Sequence, residues 1–202
     1  MKVLLIRHGM TEGNHSKKYI GVTDEPLCEE GIGELKAIRS QAAGAYSASI
    51  VFVSPMLRCR QTAQILFGES LEKAEAIVIP KLREMNFGAF EGRAFAGDLE
   101  QDPQYRKWLD TNCEGEVPGG ECKQDFTKRC IDGFCRAMEI AAERSASEPI
   151  GNAAFVVHGG TIMSILSGLG ENPGDYYSYY TENGHGYAGE WNGSRITDIK
   201  KI

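Results

Sequence analysis

Short, continuous apolar runs alternate along this chain with longer stretches whose apolar residues recur every three or four positions. Met1 to Ile6 is such a run, and it stops abruptly at Arg7-His8-Gly9, the pattern of a central parallel strand buried on both faces. Glu29 to Ala45 sets Ile32, Leu35, Ile38 and Ala42 at helical spacing, and Ser49 to Val53 predicts a second buried strand. Ser54-Pro55 marks a helix start, because proline lacks the N–H that a first turn leaves unpaired; the helix is expected over Leu57 to Phe67, with Gly68 as its stop. A third strand is expected at Ala76 to Ile79. Residues 80–120 carry several Gly, Pro and acidic positions and one short helical stretch near Pro103 to Leu109, which predicts an excursion covering the C-terminal edge of a sheet.

Glu121 to Arg144 has the length of a long helix, with Phe126, Cys130, Phe134, Ala137 and Ala141 on one stripe. Ala153 to Val157 predicts a fourth buried strand, broken by His158-Gly159 and followed by a helix over Thr161 to Leu169. Tyr187 to Trp191 and Arg195 to Ile199 predict a hairpin around Asn192-Gly193. The alternation predicts a three-layer α/β/α fold with a mainly parallel sheet, one domain spanning 1–202 with a covering excursion at about 85–125.

Composition narrows the partners. At 202 residues and 42% hydrophobic side chains, the chain can bury roughly 70% of its unfolded surface, enough for one elaborated α/β domain. The 28 acidic against 22 basic residues give a net charge of −6, which argues against nucleic acid and anionic membrane as partners. Any anion must then meet a local basic pocket. No stretch approaches the ~20 apolar residues of a membrane span, and Arg7 and His8 cut the first run short of a signal segment, so a cytoplasmic location is expected. None of the six cysteines forms a Cys-x-x-Cys unit, and the histidines at 8, 15, 158 and 185 lack metal-ligand spacing; free thiols, no metal and no cofactor are expected. Oligomeric state is left open.

Two strands far apart in sequence end in histidine-glycine. In open α/β sheets ligands bind beyond the carboxyl ends of strands, so His8 and His158 are expected to project into one crevice. Gly9, Gly159 and Gly160 would let backbone N–H groups approach a ligand, and the helix near Thr161 would direct its positive end there. Arg7 adjoins the first histidine, and Arg58 lies one turn into the helix after the second strand; guanidinium groups match phosphate oxygens in bidentate geometry. A histidine nucleophile needs a bare, aimed nitrogen, and a departing alkoxide needs a proton, for which Glu84, just after the third strand, is better placed than Glu12 or Glu91.

These residues carry a resemblance. Arg7-His8-Gly9-Met10-Thr11-Glu12-Gly13-Asn14 resembles the Arg-His-Gly-x-Thr-x-x-Asn signature of the histidine phosphatase superfamily, which also holds the cofactor-dependent phosphoglycerate mutases. Ser54 to Ala63, Leu82 to Gly88 and His158-Gly159-Gly160 are similar to its later blocks, in the family's order, with Asp24-x-Pro26-Leu27 and Gly31 as a weaker fifth match. The resemblance implies that His8 becomes phosphohistidine, that Arg7, Arg58 and His158 bind the transferred group, and that Glu84 is general acid and then base. It further implies that Asn14 completes the phosphate contacts, that Thr11 supports the loop, and that no metal takes part. Cys122 departs from the serine that commonly follows the glutamate of a Pro-Gly-Gly-Glu segment.

Taken singly, each residue has a plainer use: a partly buried strand-end histidine, Thr11 as a cap, Asn14 as a turn residue, His15 and His185 as structural or solvent-facing groups, and the tyrosines of 176–180 as packing, with one of them open to line the pocket mouth. Mutases of the family are typically longer, with an acid block reading Glu-Arg-His-Tyr-Gly. Here the block is Glu84-Met85-Asn86-Phe87-Gly88 and the chain ends at Ile202. It therefore resembles the compact phosphatases, α-ribazole phosphatase among them, and the expected function is hydrolysis of a small phosphorylated metabolite. Mutase-type transfer is the alternative, with Arg106-Lys107 to anchor a second acidic group; a non-catalytic phospho-ligand binder is another.

Overall fold

The computed structural model describes residues 1–41, 46–72, 76–147 and 149–202. Its strands are β1 (Lys2–Arg7), β2 (Ile50–Val53), β3 (Ile77–Val78), β4 (Asn152–Val157), β5 (Gly186–Trp191) and β6 (Ile196–Lys201). They form a sheet in the order β3-β2-β4-β1-β5-β6. The first four run parallel, and the terminal hairpin adds β5 and β6 antiparallel beside β1. The helices are α1 (Glu12–His15), α2 (Glu29–Gln41), α3 (Leu57–Leu71), α4 (Pro103–Asp110), α5 (Lys123–Ser145) and α6 (Gly159–Leu169).

Successive strand residues point to opposite faces, so a strand that is apolar throughout must be covered twice. Val3, Leu5, Phe52 and Phe155 pack with Phe126 and Phe134 of α5 and Ile162 and Leu166 of α6. Leu4, Ile6, Val51 and Val156 pack on the other face with Leu35 of α2 and Cys59, Ala63 and Leu66 of α3. Phe155 has Phe52 at 5.0 Å and Phe134 at 4.9 Å between ring centroids, near the middle of the first face. Three layers follow, as the sequence predicts.

Register decides what happens at the strand ends. β1 pairs in parallel with β4 so that Arg7 lies opposite Val157, and the next residue on each strand is a histidine. The His8 N–H continues the ladder by donating to Val157 O at 2.9 Å.

Several boundaries differ from expectation. α3 runs past Gly68 to Leu71, with Phe67 off helical geometry (φ −117°, ψ 16°), so the glycine follows an irregular turn and stops nothing. Pro55 precedes the N-cap Met56, and the helix end is capped from a distance: Asp24 Oδ1 accepts the Leu57 N–H at 2.6 Å. α6 begins at Gly159, two residues before the expected Thr161. The third strand is reduced to two residues at the sheet edge, where Val78 is exposed. α1 was not anticipated, because four residues are too few to show a period. Ala42 and the rest of the helix expected to reach Ala45 lie outside the described residues. The six cysteines are free thiols, and among the described residues no helix is long and apolar enough to cross a membrane.

Candidate active site

The two strand-end histidines meet. Their ring centroids lie 5.1 Å apart at an interplanar angle of 68°, and both residues are buried. His8 Nδ1 is 2.7 Å from Gly9 O. A carbonyl can only accept, so Nδ1 carries the proton and Nε2 keeps its lone pair. Burial, then the charges of Arg58 and Arg7, hold the His8 pKa well below the usual imidazole range. His158 is depressed likewise, by burial first and Arg58 second. Its Nε2 is 2.7 Å from Ser54 Oγ, a partner that sequence reasoning did not supply.

Arg58 is fully buried. Its Nη1 donates to Thr23 O at 2.8 Å, and its Nη2 to Gly21 O at 2.9 Å and Ile20 O at 3.4 Å. Arg7 Nη1 donates to Thr181 O at 2.8 Å, and its guanidinium carbon sits 5.8 Å from the centroid of the Tyr180 ring. Carbonyls orient both cations without neutralising either. Among the described residues neither arginine forms an ion pair, and the Nε of each is buried with no hydrogen-bond partner. Unpaired buried charge is costly. The pair is thus complementary to an anion, with a neutral nucleophilic nitrogen beside it.

Glu84 is 8% exposed. Oε1 accepts from Met85 N–H at 2.9 Å and Oε2 from Gly160 N–H at 3.0 Å. Burial pushes its carboxyl above the usual carboxylate range, against those two hydrogen bonds and the two arginines. A Cβ at position 160 would overlap Glu84 Oε1, so the glycine is what lets helix and carboxylate meet. The Gly160 N–H therefore serves Glu84, while Gly159 opens the helix against Arg7.

Thr11 caps α1 and forms a capping box with Asn14, as its plainer reading expects. The Asn14 Oδ1 accepts from Thr11 N–H at 3.4 Å and from Asn183 Nδ2 at 3.1 Å, which leaves its amide NH₂ as the free end. Asn183 also donates to His8 O at 3.0 Å. Nothing in the C-terminal sequence pointed to it.

Glu91, weighed only as a rival to Glu84, is neither an acid at the site nor a surface charge at large. It accepts from the N–H groups of Gly21, Val22 and Phe87 and from Thr23 Oγ1, at 2.8–3.2 Å. It thereby fixes the loop whose carbonyls hold Arg58. Cys122 keeps the expected serine's capping place, its Sγ accepting from Asp125 N–H at 3.4 Å. Glu121 pairs with Arg129. Arg106 is exposed and donates to Glu100 O and Gln101. Among the described residues no group of three or more His, Cys, Asp and Glu is placed to hold a metal ion.

The ends of β1 and β4 bring the two imidazoles together, and the charges of Arg7 and Arg58 act on both of them. The model of the histidine phosphatase superfamily (branch 1) matches residues 3–197, and the chain belongs to that superfamily. It is 31% identical over 174 residues to a probable phosphoglycerate mutase GpmB of Serratia proteamaculans, covering 84% of this chain and 76% of that one. The corresponding protein of Photorhabdus laumondii is 28% identical over 169 residues, with 83% and 74% covered. Among solved structures, a putative alpha-ribazole-5'-P phosphatase from Escherichia coli superposes with a TM-score of 0.78 at 25% identity, covering 100% of this chain and 95% of that one. A phosphoglycerate mutase from Thermus thermophilus gives 0.67 at 26% identity, covering 100% and 98%.

Proposed function

We propose that this protein is a metal-independent phosphomonoester hydrolase working through a phosphohistidine at His8, on a small phosphorylated metabolite. The observation that carries the reading is a buried Arg58 and a half-buried Arg7, both oriented by carbonyls and, among the described residues, without an ion pair, set around an imidazole whose Nε2 is bare. A phosphomonoester supplies the missing negative charge and the electrophile together. Neither nucleic acid nor membrane is proposed as a partner, and no cofactor is needed.

In the first step the Nε2 lone pair attacks phosphorus. The bond from phosphorus to the ester oxygen breaks, and the Glu84 proton passes to that oxygen, releasing the alcohol. Arg7 and Arg58 offset charge on the transferring oxygens, with Asn14 donating from its free amide end and His158 bordering the group. In the second step Glu84, now a carboxylate, takes a proton from water. The water oxygen attacks phosphorus, the bond to nitrogen breaks, and inorganic phosphate leaves with His8 neutral again. Thr11 and Gly159 serve by shaping the loop and the helix start.

Mutase-type transfer uses the same phosphohistidine and is the reading that the GpmB names of the relatives favour. The two separate by where the phosphoryl group goes. With a chelator present, phosphate release from a panel of phosphomonoesters is expected to outrun isomerisation of phosphoglycerate. Isomerisation much faster than release would replace the phosphatase by a mutase, and binding without turnover of any ester would leave only a phospho-ligand binder.

A further inference from the structure

Glu84 and Gly160 also line a cavity of about 200 Å³. Tyr19, Phe87, Trp108, Phe126, Met163 and Tyr176 form much of its wall. The polar tips of the aromatic residues are already engaged within the protein. Tyr19 Oη shares a hydrogen bond with Tyr105 Oη at 3.0 Å, Trp108 Nε1 donates to Gly115 O at 3.2 Å, and Tyr176 Oη donates to Gly160 O at 3.3 Å. What they offer an occupant is ring face and ring edge.

The one cation of the wall among the described residues is Lys123, and it too is committed. Its ammonium lies 2.7 Å from Glu114 Oε1 and 4.5 Å and 4.9 Å from the ring centroids of Tyr176 and Tyr177. Arg106 and Lys107, which the sequence suggested for a second acidic group, do not line the cavity. An anionic substituent entering here would lose water and find no free positive partner.

We infer that this cavity is the leaving-group subsite, and that it selects phosphomonoesters whose alcohol carries an uncharged aromatic or similarly apolar ring. The inference rests on the phosphatase reading and names its substrate class. Position argues for it, because the cavity is lined in part by Glu84, the group that would protonate the departing oxygen. So does size: an apolar cavity of ~150 Å³ is known to take benzene, so this one holds a substituted ring. The wall residues come from the loop after α1, the covering segment, helices α5 and α6 and the turn at Tyr176–Tyr179, and so meet only in the fold.

Benzyl phosphate and ethyl phosphate release alcohols of similar basicity and differ mainly in the ring, so their ratio of kcat/KM reads the subsite apart from the chemistry. Benzyl phosphate is expected to lead by roughly 10- to 100-fold, the scale of burying one aromatic ring, and to lead 3-phosphoglycerate by at least as much. Met163→Trp, which fills the cavity, should narrow the benzyl-to-ethyl ratio severalfold. Glu114→Gln, at an exposed position, should release Lys123 and raise kcat/KM for 3-phosphoglycerate relative to benzyl phosphate. Equal kcat/KM for the two simple esters, or a ratio unmoved by Met163→Trp, would overturn the subsite while leaving the hydrolase intact. Failure to hydrolyse either ester, with no phosphohistidine formed, would overturn the hydrolase and the subsite with it.

Discussion

Arg58 and Arg129 are both largely withdrawn from water, and their surroundings could hardly differ more. Arg129 donates to Glu121 through Nε at 2.8 Å and Nη2 at 2.7 Å, and its remaining N–H groups reach the carbonyls of Lys81, Arg83 and Glu84. Burial pushes the Glu121 carboxyl up, but the Arg129 hydrogen bonds, the Asn86 N–H and the arginine charges more than offset it, and it ends below the usual range. That cation is complete within the fold. Arg58 has carbonyls on one side and an unpartnered Nε, with neutral histidines across from it. A charge compensated internally staples a chain; a charge left uncompensated is kept for something that arrives. Arg129 holds the segment bearing Glu84, and in the proposed reaction Arg58 meets the phosphoryl group whose ester oxygen Glu84 would protonate.

Replacing the proposed nucleophile tests the uncompensated region most severely. His8→Ala is expected to lower kcat by about 10⁴-fold or more with an unchanged circular dichroism spectrum, as deletion of a covalent catalyst does elsewhere. Arg129→Met should act on folding, losing about 3–5 kcal/mol in denaturant unfolding because it strands the Glu121 carboxylate. Arg58→Met should reverse that pattern. It should cost about 3 kcal/mol in transition-state stabilisation, while stability stays within about 1 kcal/mol of wild type, since a buried charge gives way to a side chain of similar volume. If both substitutions cost stability equally, the contrast between the two arginines fails.

Glu84→Gln is expected to slow alkyl esters by roughly 10²-fold and nitrophenyl esters much less, because a good leaving group needs little protonation. The pH profile carries the same assignment. His8 acts unprotonated, so the rate falls as pH drops through its pKa, which lies well below 6.5. Glu84 acts protonated, so the rate falls as pH rises through its pKa, which lies above 4.5. The variant should lose the second limb and keep the first. Smallest in effect is Glu91→Gln, expected to cost about 1 kcal/mol in kcat/KM by loosening the loop around Arg58. In the Arg58→Met background it should cost nothing further, which a double-mutant cycle would register.

Much of the uncompensated region is legible in sequence because it sits where strands end. An apolar run cut by Arg-His-Gly states both a buried strand and the chemistry at its tip, and parallel pairing of β1 with β4 does the rest. Arg58 reads as one turn into a helix for the same local reason. The supporting contacts are not legible, because they join remote segments: Glu91 reaches back to 21–23, Asn183 reaches His8, and Asp24 caps a helix that begins at Leu57. Apart from the Phe87 N–H that Glu91 also accepts, none has a partner within one helical turn to announce it. The helix boundaries differ from the local signals at Gly68 and Thr161 because α3 runs on through a buried Gly68, and because His158 itself is the N-cap of α6. The cavity is least legible of all, since aromatic residues from four segments look like core until the fold leaves a space between them.

The assignment of His8 is tested most directly by rapid quench of the protein with an isotopically labelled phosphomonoester, followed by mapping of the label. An acid-labile, alkali-stable phosphoryl group on His8 is expected, formed within the first turnover and absent from His8→Ala. Steady hydrolysis with no labelled protein, or with the label on another side chain, would contradict it.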